Sequence, residues 1–260
     1  MSTENNKRHM KKLFLTVLTL SLVHIAFSQI VTDSIGAVKQ SKQKKDWSKL
    51  NLSNRANDHF MVQFGYDNWA QAPDSIKITG FGHHFNVYFM LDLPFKSSPH
   101  FSAAIGAGIG TSTIYFDKQE PQIAALTARL PFPDVSDTTH FKKFKLATTY
   151  LEAPLELRYV SNPANTNKSW KFALGLKIGT MLSAHTKGKK LQNAAGNDIN
   201  NYIAKENSKR FFNSTRFAGT VRLGYGPFGL YGAYQISNFI KDGVGPNVKP
   251  YSIGLTISGL

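Results

Sequence analysis

The stretch Trp170–Ala184 constrains the fold of this chain more than any other. Its side chains alternate: a series that includes Trp170, Phe172 and Leu174 is nearly all apolar, whereas the intervening series is small or charged. A period of two indicates a β-strand with two unlike faces. The strand is roughly twice as long as an ordinary globular strand, and its apolar face is unbroken. These properties favour a strand of a transmembrane β-barrel, with apolar side chains toward lipid and polar ones toward the interior.

Seven further segments repeat this alternation, so the sequence predicts an all-β fold, an eight-stranded antiparallel up-and-down transmembrane β-barrel over residues 59–260. Short and long connections alternate, a pattern typical of outer-membrane barrels with short periplasmic turns and long outer loops. This order predicts that both termini lie in the periplasm. Closure is expected because an open sheet edge in lipid leaves backbone groups unsatisfied. The predicted strands are His59–Trp69, Phe81–Phe95, His100–Phe116, Phe144–Val160, Trp170–Ala184, Phe211–Tyr225, Phe228–Ser237 and Pro250–Gly259.

Aromatic residues and one proline add detail to this barrel. Pro154 lacks a backbone donor, so a bulge or bend is expected at that point. The aromatic residues at the strand ends predict two girdles at the membrane interfaces. The periplasmic girdle would contain Phe60, Phe95, Phe101, Tyr159, Trp170, Tyr225 and Phe228, and the outer girdle Trp69, Phe81, Tyr115, Phe116, Phe211, Phe212, Phe239 and Tyr251.

The N-terminal residues 1–28 have the pattern of a secretory signal peptide. A basic region precedes the apolar run Leu13–Phe27, and Ala26 and Ser28 occupy the small positions of a cleavage site. The alternative is an uncleaved membrane anchor, for which the apolar run is short. Residues 29–58 are polar and rich in lysine, and they predict a flexible basic leader on the periplasmic side. The chain has no cysteine, which excludes disulfides and thiol catalysis.

The formal net charge of +15 raises the question of nucleic acid as a partner. No nucleic-acid-binding motif accompanies the charge, and an exported protein rarely meets nucleic acid, so the sequence predicts none. Lipid phosphates at the membrane surface are a better match for this charge. A mean hydropathy of −0.25 argues against a helical membrane protein, whereas a barrel is compatible with it because only alternate residues meet lipid.

Three segments resemble a known family. The run Tyr150–Tyr159, the strand Trp170–Ala184 and the terminal segment Pro250–Ile257 are similar to the PorT-like group of small bacterial outer-membrane β-barrel proteins. The resemblance covers roughly residues 58–260 and implies an eight-stranded barrel, often of unassigned role. The namesake of the group works in type IX protein secretion. The resemblance therefore also implies a possible accessory role in an outer-membrane secretion or translocation complex.

Charged residues at inward positions predict an interior network. Eight strands enclose a space that side chains can fill, and an unpaired buried charge is costly, so opposite charges are expected to pair. A row of small residues on the third strand leaves room for long neighbours such as Tyr88. The sequence thus predicts a plugged lumen, the alternative being a path for protons or ions. The predicted lumen charge network comprises Asp92, Glu152, Glu156, Arg158, Lys171, Lys177, Arg216 and Arg222.

The two long loops are the expected functional surface. The spacing of apolar residues predicts short helices over Glu120–Leu130 and Asp198–Glu206. A basic cluster in the second loop suggests contact with the phosphates of lipopolysaccharide, and an ordinary solvated loop is the equal alternative. The predicted basic outer loop comprises Lys187, Lys189, Lys190, Lys205, Lys209 and Arg210.

No residue pattern predicts a cofactor, a metal or an enzymatic activity. Histidines His83, His84, His140 and His185 map to the outer rim or the loops, where solvated histidines are the simpler interpretation. Three functions stay open from the sequence. The first is a monomeric envelope protein that acts through its loops, with outer-membrane lipid and lipopolysaccharide as partners. The second is an accessory subunit of a larger outer-membrane complex, and the third is a membrane enzyme with a site at the rim.

Overall fold

The computed structural model describes residues 59–258, so the predicted signal peptide (1–28) and basic leader (29–58) lie outside the described residues. Nine β-strands and one 3₁₀ turn, Thr166–Lys168, make up the regular structure of residues 59–258. In the same range no helix is long and apolar enough to span a bilayer. The strands are β1 (Phe60–Ala70), β2 (Ile78–Phe95), β3 (Ser98–Phe116), β4 (His140–Val160), β5 (Trp170–Gln192), β6 (Asp198–Asn207), β7 (Thr215–Tyr225), β8 (Phe228–Gln235) and β9 (Lys249–Ser258).

Eight of these strands form a closed antiparallel ring. Strands β1 to β5 pair in chain order, β5 then pairs with β7, and the ring continues through β8 and β9. Strand β9 closes the ring on β1 in a ladder that runs from Met61↔Ser258 to Ala70↔Lys249. Closure satisfies the backbone groups that an open edge would leave unpaired in lipid. The predicted eight-stranded antiparallel barrel is confirmed.

The two ends of the ring differ in their connections. At the end that we call the turn end, short connections join β2 to β3, β4 to β5, and β7 to β8. The two-residue connection between β7 and β8 contains Gly226 at φ +58°, a left-handed conformation that glycine adopts without a steric penalty. At the opposite end, the loop end, the connections are residues 71–77, 117–139, 193–214 and 236–248. The alternation of short and long connections expected from the sequence is therefore present.

The helix predicted over Asp198–Glu206 is wrong, because these residues form strand β6. These residues pair antiparallel with the loop-end half of β5, in a ladder that begins at His185↔Asn207. The alternative to a helix exists because β5 does not stop at the membrane but continues to Gln192 and offers its backbone groups to a partner. A tight turn with Gly196 at φ +85° connects the two strands. The loop-end parts of β4 and β5 together with β6 form a three-stranded outer sheet that extends beyond the ring.

The helix predicted over Glu120–Leu130 is also wrong, because this segment consists of turns and bends. Several of its backbone groups bond to other segments, and the Leu130 amide donates to the carbonyl of Val244 at 2.7 Å, whereas within the segment the Ala125 amide closes a turn on the carbonyl of Gln122 at 3.2 Å. The apolar side chains of Ile123 and Leu130 are buried. The apolar residues whose spacing suggested a helix are therefore buried by long-range packing of an irregular loop.

The outer surface of the ring carries a continuous apolar band. On β5, Leu174, Leu176 and Ile178 are exposed while the intervening Lys177 is buried, so the predicted orientation of the two faces holds. The aromatic residues predicted at the turn end are all on the outside, with exposed fractions between 40% and 66%. They are Phe60, Phe95, Phe101, Tyr159, Trp170, Tyr225 and Phe228.

Most of the aromatic residues assigned to the outer girdle point inward instead. Trp69, Phe116, Phe211, Phe212 and Phe239 are at most 6% exposed, because the loops fold over the loop end and create an apolar interior there. This apolar cap also contains Ile123 and Leu130 of the 117–139 connection. Its members are Trp69, Ile76, Ile114, Phe116, Ile123, Leu130, Phe144, Leu146, Tyr150, Met181, Ala184, Phe211, Phe212, Phe239, Ile240 and Val248.

Pro154 causes no bulge, so of the two alternatives expected from the sequence only a local bend stays a prediction. It pairs with Lys177 of β5, and the β3–β4 register is the same on both sides of it. The missing donor interrupts only the bridges opposite Gly106 and Ala107. The register shift between β4 and β5 lies at Thr149 instead, near the loop end.

Candidate functional site

A first group of charged side chains fills the middle of the lumen around Glu152. Its carboxylate oxygens lie 3.1 Å from Nζ of Lys177 and 3.1 Å from Nη1 of Arg216. The Tyr88 hydroxyl donates a hydrogen bond to the same carboxylate, and Lys177 donates to the hydroxyls of Tyr88 and Tyr231, each at 3.2 Å. We call these five residues the Glu152 cluster. The two cations share one carboxylate, and the phenolic oxygens supply further acceptors.

A second group, the Glu156 cluster, lies closer to the turn end. Arg222 donates from Nη2 and Nε to the two carboxylate oxygens of Glu156, at 2.6 and 3.0 Å, and this bidentate geometry is the strong form of a charge-assisted hydrogen bond. Arg158 Nε donates to the same carboxylate at 2.8 Å, and its Nη1 lies 3.6 Å from Asp92. The predicted lumen residue Lys171 is half-buried and lines a cavity of about 40 Å³ together with residues of this cluster.

Glycines make the room for these side chains. A Cβ atom on Gly110 would lie 2.5 Å from Oε2 of Glu152, and one on Gly108 would lie 2.6 Å from Cδ1 of Tyr88. Both distances are shorter than real Cβ contacts. The row of small residues on β3 therefore accommodates Tyr88, as the sequence predicted, and also Glu152.

A third polar group was not predicted from the sequence. His84 was assigned to the rim, but it is 3% exposed inside the barrel, and its Nδ1 lies 2.7 Å from Oδ1 of Asp67. The Ser112 hydroxyl donates to the other carboxylate oxygen of Asp67. Period-two counting from Tyr66 and Phe85, which face outward, puts Asp67 and His84 inside. The alternation was thus the signal that could have identified this group.

The remaining histidines do not converge on one site. His83 faces the outside of β2, opposite to its neighbour His84, whereas His185 lies on β5, which is not adjacent to β2 in the ring. His140 is buried at the start of β4, with Nδ1 3.0 Å from the carbonyl of Thr138. Within residues 59–258, no cluster of three or more His, Asp or Glu side chains has a metal-binding arrangement.

The outer sheet carries a group of lysines on its outward face. Lys145, Lys187 and Lys205 lie directly opposite one another on three adjacent strands, and Lys143 lies opposite Lys189 in the next row of the same face. We call these five residues the lysine face. Three of them belong to the predicted basic outer loop. The two on β4 were missed because only strand register reveals that they are neighbours of the loop residues.

The other residues of the predicted basic loop are elsewhere. Lys190 has its Nζ 4.0 Å from the carboxylate of Asp198. Lys209 reaches back to the carbonyl of Met181 at 3.4 Å, and Arg210 contacts the carbonyl of Thr127 at 3.4 Å. These three side chains are held by the protein itself and are separate from the lysine face.

Two pKa values reflect the crowding of positive charge on this sheet. Partial burial, followed by repulsion from Lys187, lowers the pKa of Lys145. Partial burial also lowers the pKa of His185, and the charges of Lys205, Lys145 and Lys187 lower it further. Both groups lie above the exposed apolar band.

The family comparison agrees with the barrel. A family model described as "Outer membrane protein beta-barrel domain" matches residues 39–240. Among solved structures, the chain is similar to the attachment invasion locus protein Ail of Yersinia pestis, with 12% identity and a TM-score of 0.35, over 76% of this chain and 94% of that one. It is also similar to OprG of Pseudomonas aeruginosa, with 13% identity and a TM-score of 0.29, over 80% and 98%. No curated protein sequence matches.

Proposed function

The chain belongs to the outer membrane protein β-barrel domain family, and on this premise we propose that it is a sealed, non-conducting barrel that acts through its loop end. In this proposal the loop end faces the cell exterior and both termini lie in the periplasm. The role is structural or interactive rather than enzymatic, and the barrel is a monomer. Its partners are outer-membrane lipid and lipopolysaccharide.

The filling of the lumen is the observation that carries this proposal. The apolar cap occupies the loop end, with Phe212, Ile240 and Ile123 fully buried. Below it, Glu152 and Glu156 each form ion pairs with two cations, at distances of 2.6 to 3.1 Å. Water and ions would have to displace both layers in order to pass, and separating buried ion pairs is costly.

Conductance in planar bilayers tests the sealed lumen. The purified full chain should give no steady openings across a range of voltages. The matched variant Phe212→Ala/Ile240→Ala, which removes bulk from the cap, reports whether the cap contributes to the seal. Steady nanosiemens openings of the wild-type protein would overturn the proposal.

Labelling of single cysteines tests the orientation, because the chain has no cysteine of its own. Leu126, which is 90% exposed at the loop end, and the exposed Lys168 at the turn end form a matched pair. On intact cells a membrane-impermeant maleimide should label Leu126→Cys, whereas Lys168→Cys should react only after the outer membrane has been permeabilised. The reverse pattern would invert the proposed topology.

A second candidate function is an accessory subunit of an outer-membrane secretion or translocation complex, as in the PorT-like resemblance. Strand β6 supports it, because β6 is the last strand in the sheet order and exposes Ile199, Tyr202 and Ile203. Unpaired strand edges are templates for partner strands. Crosslinking at Tyr202, followed by pull-down from native membranes, should capture one defined partner. Recovery of the monomer alone would exclude this role.

A further inference from the structure

The repulsion between the lysines of the lysine face destabilises the folded protein. In the row Lys145–Lys187–Lys205, neighbouring strands bring like charges directly opposite one another, at Cβ separations of about 5 Å, and such pairs destabilise a sheet. Lys143 and Lys189 repeat the arrangement in the next row. Five lysines are therefore concentrated on two rows of one small sheet.

Counter-charges for this face are missing from the part of the chain that the structure describes. None of the five lysines has an ion pair with a carboxylate of residues 59–258. The acidic residues of the same sheet pair with inward positions: Glu206 lies opposite Thr186, and Asp198 lies opposite Gln192. The lysine face therefore has an unbalanced positive charge that an external anion can neutralise.

The position of the face identifies where that anion lies. The odd-numbered residues of β4 form one continuous outer wall, on which Leu155 and Leu151 are exposed apolar residues and Lys145 and Lys143 follow toward the loop end. The distance from Leu151 to Lys145 is about 20 Å along the strand at about 3.3 Å per residue. With a strand tilt of about 40°, the height difference is about 15 Å. The lysines thus lie above the apolar band, on the wall that contacts lipid.

The opposite wall of the ring, formed by β1, β2 and β9, carries aromatic residues rather than a group of lysines at the loop end. There Tyr66 packs against Phe81 at 5.3 Å and against Tyr251 at 6.5 Å between ring centroids. Lys249 lies on this wall opposite Ala70, so it has no lysine across from it. An evenly solvated rim would distribute its charge around the circumference, whereas this barrel concentrates lysines on the side of β4, β5 and β6.

We propose that the lysine face is a docking site for the phosphate groups of an outer-leaflet phosphoglycolipid, with two or more phosphates bound between the rows Lys145–Lys187–Lys205 and Lys143–Lys189. Lysines bind phosphate as point charges, and closely spaced lysines suit a headgroup that carries several phosphates. The site rests on the proposed function, because only a loop end that faces outward brings it to the outer leaflet. It deepens that proposal by naming the residues and the chemical class of the ligand.

Binding in detergent tests the site. The purified full chain, in a non-ionic detergent free of lipopolysaccharide, is titrated with a deep-rough lipopolysaccharide and with the same lipid after chemical removal of its phosphates. The variant Lys145→Gln/Lys187→Gln/Lys205→Gln should bind the phosphorylated lipid about 100-fold more weakly, from the usual contribution of a lysine near an anionic surface. The arginine triple variant at the same positions should retain binding.

A matched control removes three charges from the same end of the barrel. Lys118→Gln/Lys241→Gln/Lys249→Gln leaves the lysine face intact and should bind within about twofold of the wild-type protein. Circular dichroism establishes that each variant is folded, and so does heat-modifiable mobility, the difference in gel migration between heated and unheated samples. Binding of the phosphorylated lipid should weaken steeply as salt rises, with a smaller salt dependence in the first glutamine variant.

Four results would overturn the site. They are unchanged binding by the Lys145/Lys187/Lys205 glutamine variant, equal binding of the dephosphorylated lipid, an equal loss in the control variant, and displacement by millimolar inorganic phosphate, which would assign the site to the free ion. Failure of the cysteine-labelling experiment would instead overturn the topology, and it would leave binding in detergent unaffected. The two failures are thus distinguishable.

Discussion

Glu152 Oε2 lies 3.1 Å from Nζ of Lys177 in the middle of the barrel, and the two side chains are 0% and 3% exposed. Arg216 shares the same carboxylate. A single anion thus holds two buried cations, and the lumen depends on it more than on any other side chain of the Glu152 cluster. The first prediction follows from this relationship.

Glu152→Gln should destabilise the barrel by about 3–5 kcal/mol, because it leaves Lys177 and Arg216 buried without a carboxylate. Unfolding by urea in lipid vesicles measures the change. The control Asp242→Asn, at an exposed position, should alter the free energy of unfolding by less than about 0.5 kcal/mol. A loss below about 1 kcal/mol for Glu152→Gln would mean that water or other groups neutralise these cations.

Gly110→Ala should destabilise the barrel by about 1–3 kcal/mol, since its Cβ atom would lie 2.5 Å from Oε2 of Glu152 and displace the cluster. Gly219→Ala is the matched control, because a Cβ atom there meets nothing within 4 Å. It should be neutral or slightly stabilising, since alanine loses less backbone entropy than glycine in a strand. Equal effects of the two substitutions would contradict the packing described for the lumen.

Phe212→Ala should reduce the free energy of unfolding by about 3–5 kcal/mol, because Phe212 is fully buried in the apolar cap and its removal leaves a cavity. Its ring centroid lies 4.8 Å from that of Phe239. Phe228→Ala, at a position that is 66% exposed on the outer surface, should have a distinctly smaller effect. The comparison uses unfolding in vesicles of one lipid composition. A larger loss of unfolding free energy in Phe228→Ala than in Phe212→Ala would contradict the burial of Phe212 in the apolar cap.

Lys205→Gln should raise the pKa of His185, because after desolvation the Lys205 charge is the largest cause of the lowered value. Since the pKa of His185 in the folded protein lies below its unfolded value near 6.5, folding opposes protonation. The contribution of this group to stability therefore falls as pH decreases from about 6.5 through the folded pKa. NMR titration of the histidine ring protons measures the shift, and Lys249→Gln should leave it unchanged. No shift in Lys205→Gln would mean that the two side chains are farther apart than the register implies.

Lys187→Gln should stabilise the protein by up to about 1 kcal/mol in non-ionic detergent at low salt, because Lys187 lies between Lys145 and Lys205 and repels both. The gain should shrink at high salt, where the repulsion is screened. Thermal unfolding at two ionic strengths measures it, with Lys249→Gln as the control. A destabilised Lys187→Gln variant would indicate that its aliphatic stem, rather than its charge, determines its contribution.

Whether an element could be predicted from the sequence depends on whether its structure is determined by neighbouring residues or by residues distant along the chain. Alternation is a local property, so β5 and the exposed apolar band could be predicted from neighbouring residues alone. Among the loop-end aromatics, Trp69 could also be placed inside by counting from Tyr66. Phe212 could not, because it lies outside the alternating strands and has the same side chain whether it meets lipid or a folded loop. Likewise, the apolar spacing in 120–130 suits a helix and also suits a loop that buries Ile123 and Leu130, and only the partner segment decides.

The sequence by itself determined the barrel and its two-faced strands, because a period of two in lipid requires one apolar and one polar face. It also determined that the lumen contains charges of both signs, because a buried charge is costly without a partner. Only the tertiary structure decided which charges meet. It paired Glu156 of β4 with Arg222 of β7 over the small residues of the intervening strand β5, and it brought Lys145 beside Lys187 and Lys205. The reason is that strand register and ring closure, which join residues distant along the chain, set these distances.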